Sequence, residues 1–314
     1  MRAQTVLRTS ALTCLLLIPL PATHPQATKD AGKARPQGPA YSTEQSAAVT
    51  PDLSARETTL RAGLVQNPQS AALLYSLALV LRLEGSARES LDTYTQAARN
   101  RKPTPQELRS VALDYVLLGD FDDAIRWLEL AAQSAPNDAE ILYSLGRCYY
   151  SRDRYVDAGK LYQRVLAIDP HNLKAQENLG LAYDATHRTD KAEEALRTAA
   201  AWADPSGSDE WPFLDWGSFL LDQDRAAEAV GPLRVASQIR HDCVPCHERL
   251  GRALLATHDT AGGLQELAVA TQLDPKNPKM HYEYGRALRQ AGQLEHAQQE
   301  LSLSQTLYSA HSEE

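Results

Sequence analysis

The sequence predicts an all-α solenoid of about seven helical hairpins, and two recurrences carry that prediction. Small residues return at one register: Ala78, Ala112, Gly146, Gly180, Gly217, Gly251 and Gly285. The step is 34 residues throughout, except for 37 between Gly180 and Gly217, where the extra residues fall near Ser206-Gly207-Ser208. Twelve positions after each comes a second small residue (Ser90, Ala124, Ala158, Ala192, Ala229, Gly263, Ala297). Four further on a bulky one follows (Tyr94, Leu128, Tyr162, Leu196, Leu233, Leu267, Leu301). Such a period marks stacked supersecondary units.

Each unit holds two apolar stripes at helical spacing, separated by a turn such as Leu118-Gly119-Asp120 or Ala291-Gly292-Gln293. The small residues let two helices approach, and the bulky ones fill the space beside them. Pro136, Pro170 and Pro275 close several units, with Pro68 closing a partial one. The residue before a proline is pushed out of the α region, which stops the second helix. A single hairpin cannot bury its own apolar face, so hairpins stack.

In chain order, residues 1–22 read as a signal peptide. Arg2 and Arg8 precede an apolar run from Ala11 to Leu20, which ends at Pro21-Ala22 and is short for a membrane span. The stretch 23–50 is rich in Pro, Ala and Gln and reads as a disordered linker. Residues 51–70 read as a capping helix. Seven units then occupy 71–104, 105–138, 139–172, 173–206, 210–243, 244–277 and 278–311. The chain is expected to be exported, periplasmic or secreted, with no membrane span once mature. Hydrophobic residues make up 43%, with only three Phe, which favours close-packed helices over a β-core. Thirty-two basic against forty acidic residues give a net charge of −8, which argues against a nucleic-acid partner.

The segment Ala139 to Asn172 resembles a tetratricopeptide repeat, through Leu142, Leu145, Gly146, Tyr149, Tyr155, Ala158, Tyr162 and Pro170. The resemblance covers roughly 71–311. Units one and two depart from it with Ala for Gly, and unit five has His241 where proline is expected. It implies a right-handed superhelix that is not an enzyme. Its concave face, lined by the first helix of each pair, would bind a protein or peptide. Carried over by register, the partner-binding candidates are Tyr143, Arg147, Tyr150, Arg249, Arg252, Tyr282, Arg286 and Arg289. Unit four adds Lys174, Glu177, Asn178, Leu181 and Asp184, and with Asp215 and Asp222 the middle of the groove reads acidic. Arg and Tyr dominate binding hot spots, so the basic C-terminal end is expected to grip an acidic or carboxylate-bearing segment. The carboxylate clamp of chaperone-binding members is absent from any three consecutive units.

His241-Asp242-Cys243-Val244-Pro245-Cys246-His247 contains Cys-x-x-Cys-His. Cys243, Cys246 and His247 leave three readings open: a disulfide or thiol pair, incidental packing, or attachment of c-type haem or a metal. The alternative function is therefore a haem-bearing or redox-active repeat protein; otherwise no cofactor and no metal site is expected. Cys148 reads as a small core residue. Trp202, Trp211 and Trp216 surround the break in the repeat and read as a cluster packing that junction. Nucleophile motifs, phosphate-binding Gly loops and metal-spaced His pairs are not found.

Overall fold

The computed structural model describes residues 52–312, and every regular element among them is an α-helix. The signal segment and the linker read from the sequence lie outside the described residues. A single helix α1 (Leu53–Gln66) precedes seven hairpins. These pair α2 (Ala71–Leu83) with α3 (Ala87–Asn100), α4 (Pro105–Leu117) with α5 (Phe121–Ser134), and α6 (Ala139–Ser151) with α7 (Tyr155–Ile168). Next come α8 (Leu173–Ala185) with α9 (Thr189–Trp202), and α10 (Trp211–Asp222) with α11 (Ala226–Ile239). The last two pair α12 (Val244–Ala256) with α13 (Thr260–Leu273), and α14 (Pro278–Gln290) with α15 (Leu294–Ser312). The array is an all-α helical repeat solenoid.

The repeat also governs where helices start. Ser70, Thr104, Asp138, Asn172, Cys243 and Asn277 sit at N-cap positions, and in each the side chain accepts a hydrogen bond from a backbone N–H of the first turn. Such caps satisfy donors that the helix leaves without partners. Thr104 and Glu107 complete a reciprocal capping box. The turn inside each hairpin is equally regular. Gly85, Gly119 and Gly292 take positive φ, and Asp153, His187, Asp224 and His258 take the same left-handed conformation in the intervening units.

Core packing follows the small-residue register. A Cβ on Gly180 or Gly217 would lie 2.6 and 2.5 Å from Cγ of Leu196 and Leu233, so each glycine is where the two helices of a hairpin touch. One apolar cluster runs from Leu108 of α4 to Ala182 of α8, and another from Phe213 of α10 to Leu254 of α12. Between them stands a smaller group of Ala192, Leu196 and Phe219, at the widened junction between α9 and α10. Glu210, buried at the start of α10, is held there by Arg240 at 2.9 Å.

The three tryptophans near that junction are not gathered as the sequence suggested. Trp211 and Trp216 pack against the α10–α12 core, whereas Trp202 stacks on His171 with ring centroids 5.2 Å apart. Trp202 ends α9, and the loop that follows separates it from the helix carrying the other two.

Candidate functional site

The first helices of successive units are joined by polar side chains that cross from one to the next. Gln106 of α4 donates to Asp138 at 2.9 Å, and Arg109 donates to Glu140 (2.8 Å) and Ser144 (2.9 Å) of α6. The Asn178 amide of α8 donates to the Tyr143 hydroxyl of α6 at 3.3 Å. Further along, Arg249 of α12 donates to Asp222 of α10 at 3.2 Å, and Lys279 of α14 donates to Glu248 of α12 at 2.9 Å. Most of the partners lie 27 to 35 residues apart, close to one repeat. The face that the register assigned to partner binding is therefore partly committed to holding the units together.

The candidate residues differ in what they have left to offer. Tyr143 is half-buried and tilted against Tyr162, and desolvation pushes its hydroxyl up to about 12. Tyr150 packs edge-on against Tyr155, and Arg147 is half-buried and acts electrostatically on Glu177 of α8. Arg249 is spent on Asp222, while Arg252 approaches Glu248 only to 3.8 Å. The C-terminal end is more open. Tyr282 is 47% exposed, Arg286 lies over its ring at 5.7 Å, and Arg289 is exposed one turn on.

In the middle of the array Glu177 of α8 is 3% exposed, and its Oε1 has no hydrogen-bond partner. The carboxyl of Asp215 on α10 lies beside it. Burial first, and then the adjacent Asp215, hold Glu177 well above the usual carboxylate range. Asp209 adds to this, and Arg147 opposes it. The sequence pointed to an acidic middle but not to this carboxyl pair, since the two residues come from different units at different register positions.

Cys243 and Cys246 are bonded to each other in a disulfide, with Cα atoms 5.3 Å apart. Cys243 occupies the N-cap of α12, its sulfur accepting from the Cys246 backbone N–H at 3.2 Å. Both ring nitrogens of His247 are engaged: Nδ1 with Glu266 at 2.6 Å, and Nε2 with the His241 carbonyl at 3.1 Å. The same arrangement recurs one unit later, where His281 meets Glu300 at 2.6 Å and the Pro275 carbonyl at 3.0 Å. Thus His247 belongs to a repeated clamp that fastens the start of one helix to its hairpin partner and to the preceding loop. Attachment of c-type haem would require both sulfurs released and this clamp opened, so the residues as arranged do not suit that group. Among the described residues no group of three or more His, Cys, Asp or Glu is placed to hold a metal ion.

The disulfide closes a loop of only four residues, for which chain entropy predicts about 2 kcal/mol of stabilisation. Intact mass is expected about two daltons below that of the reduced chain, one S–S bond replacing two S–H. The double variant Cys243→Ser, Cys246→Ala keeps a capping acceptor at 243, with the serine oxygen in place of sulfur, so its loss of stability in urea titration reads the cross-link rather than the cap. Cys148 is buried in the core of α6, as its place in the unit suggested.

Comparison with known proteins gives the same picture. Family models described as tetratricopeptide repeat match residues 112–172 and 248–307, and residues 151–208. BBSome complex member BBS4 of Bos taurus is 30% identical over 130 residues, covering 41% of this chain and 25% of that protein. The Xenopus tropicalis counterpart is 37% identical over 76 residues, covering 24% of this chain and 15% of its own length. The chain therefore matches a quarter or less of the curated relatives' length. A tetratricopeptide repeat protein from Parabacteroides merdae superposes with a TM-score of 0.59 at 18% identity, covering 81% of this chain and 93% of the other. Pseudomonas aeruginosa pilF gives 0.60 at 15%, covering 70% and 97%. The APC/C hetero-tetramer Cut9–Hcn1 gives 0.61 at 13%, covering 81% and 50%. At such identities these structures speak for the fold alone. With the helix pairs, the 34-residue register and the family matches in agreement, the chain belongs to the tetratricopeptide repeat proteins.

Proposed function

We propose that this protein is a non-enzymatic scaffold whose concave face holds an extended segment of a protein partner. The observation that supports this most is the open C-terminal end of the first-helix face. There Tyr282, Arg286 and Arg289 stand exposed on one helix, while comparable side chains further up the array are tied to neighbouring units. A planar aromatic beside arginines offers contact area at low entropic cost together with donors suited to carboxylates. The segment gripped there is acidic or ends in a carboxylate. Arg252 extends the same end, and Arg249 reaches it only by exchanging Asp222 for a ligand carboxylate.

The fold supports a protein partner, since solenoid curvature creates extended binding surfaces. Among the described residues no helix is long and apolar enough to cross a membrane. We place the protein in an oxidising compartment outside the cytosol, as a secreted or periplasmic component. The disulfide and the charge-then-apolar order of residues 1–22 favour that placement.

Reversal of charge tests the groove. Crosslinking capture from envelope or culture fractions, analysed by mass spectrometry, is expected to recover a specific partner with the natural protein. The double variant Arg286→Glu, Arg289→Glu should lose it, with affinity falling by about tenfold or more. Unchanged capture by this variant would remove the proposal for that end of the groove.

A further inference from the structure

The buried carboxyl pair in the middle of the array has no structural duty that two carboxyls perform well. Elsewhere on this face the units are joined by cation–carboxylate or amide–hydroxyl pairs, which are favourable as they stand. Between α8 and α10 two acids meet instead, and their mutual repulsion disfavours ionising both. Glu177 keeps one oxygen, Oε1, buried without any hydrogen-bond donor, a state that costs free energy unless something supplies one. Asp209 adds a third acidic group, against which Arg147 is the opposing cation. Tyr143, Arg147 and Asp215 are half-buried. By register, these positions line the concave face.

We infer that the Glu177–Asp215 pair is a subsite for a basic side chain, lysine or arginine, of the segment bound in the groove. An ammonium or guanidinium group would donate to the unpartnered Oε1 and neutralise the second carboxylate. This deepens the scaffold reading and rests on it: the partner would carry a basic residue facing units four and five, and acidic character toward unit seven. Burial and Asp215 favour the protonated form of Glu177, whereas an arriving cation favours the ionised one. Binding should therefore release about one proton and tighten as pH rises.

The test uses a displayed library of random twelve-residue peptides selected against the full-length protein, followed by calorimetry of one synthetic selected peptide. Enriched peptides are expected to share a Lys or Arg at a fixed position. Titration in two buffers of different ionisation enthalpy should show release of about one proton per complex. Glu177→Gln preserves shape and mimics the protonated group, so circular dichroism and the melting temperature should hold. Its affinity should fall by about tenfold, with proton release lost. Replacing the peptide's Lys with norleucine, or its Arg with citrulline, should weaken binding to the natural protein and barely affect binding to Glu177→Gln. Peptides without a shared basic position, or equal affinity and proton release in Glu177→Gln, would overturn the subsite while leaving the scaffold reading standing. A selection that enriches no peptide at all would sink both.

Discussion

Replacing Asp114 with asparagine is expected to stabilise the protein at pH 8 and to leave it nearly unchanged near pH 4. Asp114 of α4 is wholly buried between the first two units, with its Oδ1 lacking a partner. Its Oδ2 lies 2.7 Å from the Ser90 hydroxyl, which also lies 2.8 Å from the Ala78 carbonyl. One hydroxyl carries one hydrogen. If Ser90 donates to the carbonyl, which can only accept, then Asp114 must itself supply the proton of the second bond. Desolvation agrees, pushing this carboxyl from 3.8 up to about 7 despite Ser90 and the nearby Arg82.

The sign of the pH effect follows from that direction. Below the unfolded value the group is protonated in both states, and its native hydrogen bond is fully present. As pH rises toward 7 the unfolded chain ionises while the folded one resists, so stability is lost; above 7 the loss is complete. A shift of this size corresponds to roughly 4 kcal/mol at most, and relaxation of the site would lower it. Asparagine carries the donor permanently, so its advantage should grow from near zero at pH 4 to about 2–4 kcal/mol at pH 8. Thermal melts across that range measure it directly. A difference that stays flat with pH would show that Asp114 is ionised in the fold.

The second large effect is steric. At Gly217 an added Cβ would stand 2.5 Å from Leu233 Cγ and 3.3 Å from the Leu233 backbone nitrogen, so the obstacle is partly main chain and cannot simply rotate aside. Gly217→Val should cost about 3 kcal/mol through overpacking between α10 and α11. Gly159, inside α7, is the control, because a Cβ there meets nothing closer than 3.8 Å. Gly159→Ala should gain about 0.5–1 kcal/mol from helix propensity alone. Denaturant titration separates the two outcomes. If both variants behaved alike, the small-residue register would reflect something other than close approach.

That register is also why so much of the fold was legible. A residue that must be small because a facing helix touches it leaves a mark every 34 positions, and the mark survives substitution of Gly by Ala at 78 and 112. What escaped detection depends on pairs between helices. The His247–Glu266 and His281–Glu300 clamps repeat at the same 34-residue step, so a signal existed, yet at His247 it is overlaid by the Cys-x-x-Cys-His motif. The N-cap register favours the disulfide reading of that motif. Cys243 stands where Thr104, Asp138 and Asn277 cap other helices, and the cap-to-third-residue spacing is what brings Cys246 beside it. Glu177 and Asp215 left no comparable trace. Each is an ordinary polar residue on a helix, and only the stacking of α8 against α10 makes them a pair. Register also placed Arg249 on the concave face, but nothing in one sequence says that Asp222 already holds it.

The widened junction at residues 203–210 has a kinetic meaning. In a linear array, neighbours transmit stability like coupled spins, and melting starts where the coupling is weakest. Here the two large apolar clusters stop on either side of α9, bridged by a smaller one. Denaturation should then pass through a species in which one block has melted and the other persists. Hydrogen exchange would show two protection plateaus dividing near Asp204-Pro205, and a protease reaching that loop would release fragments that still fold.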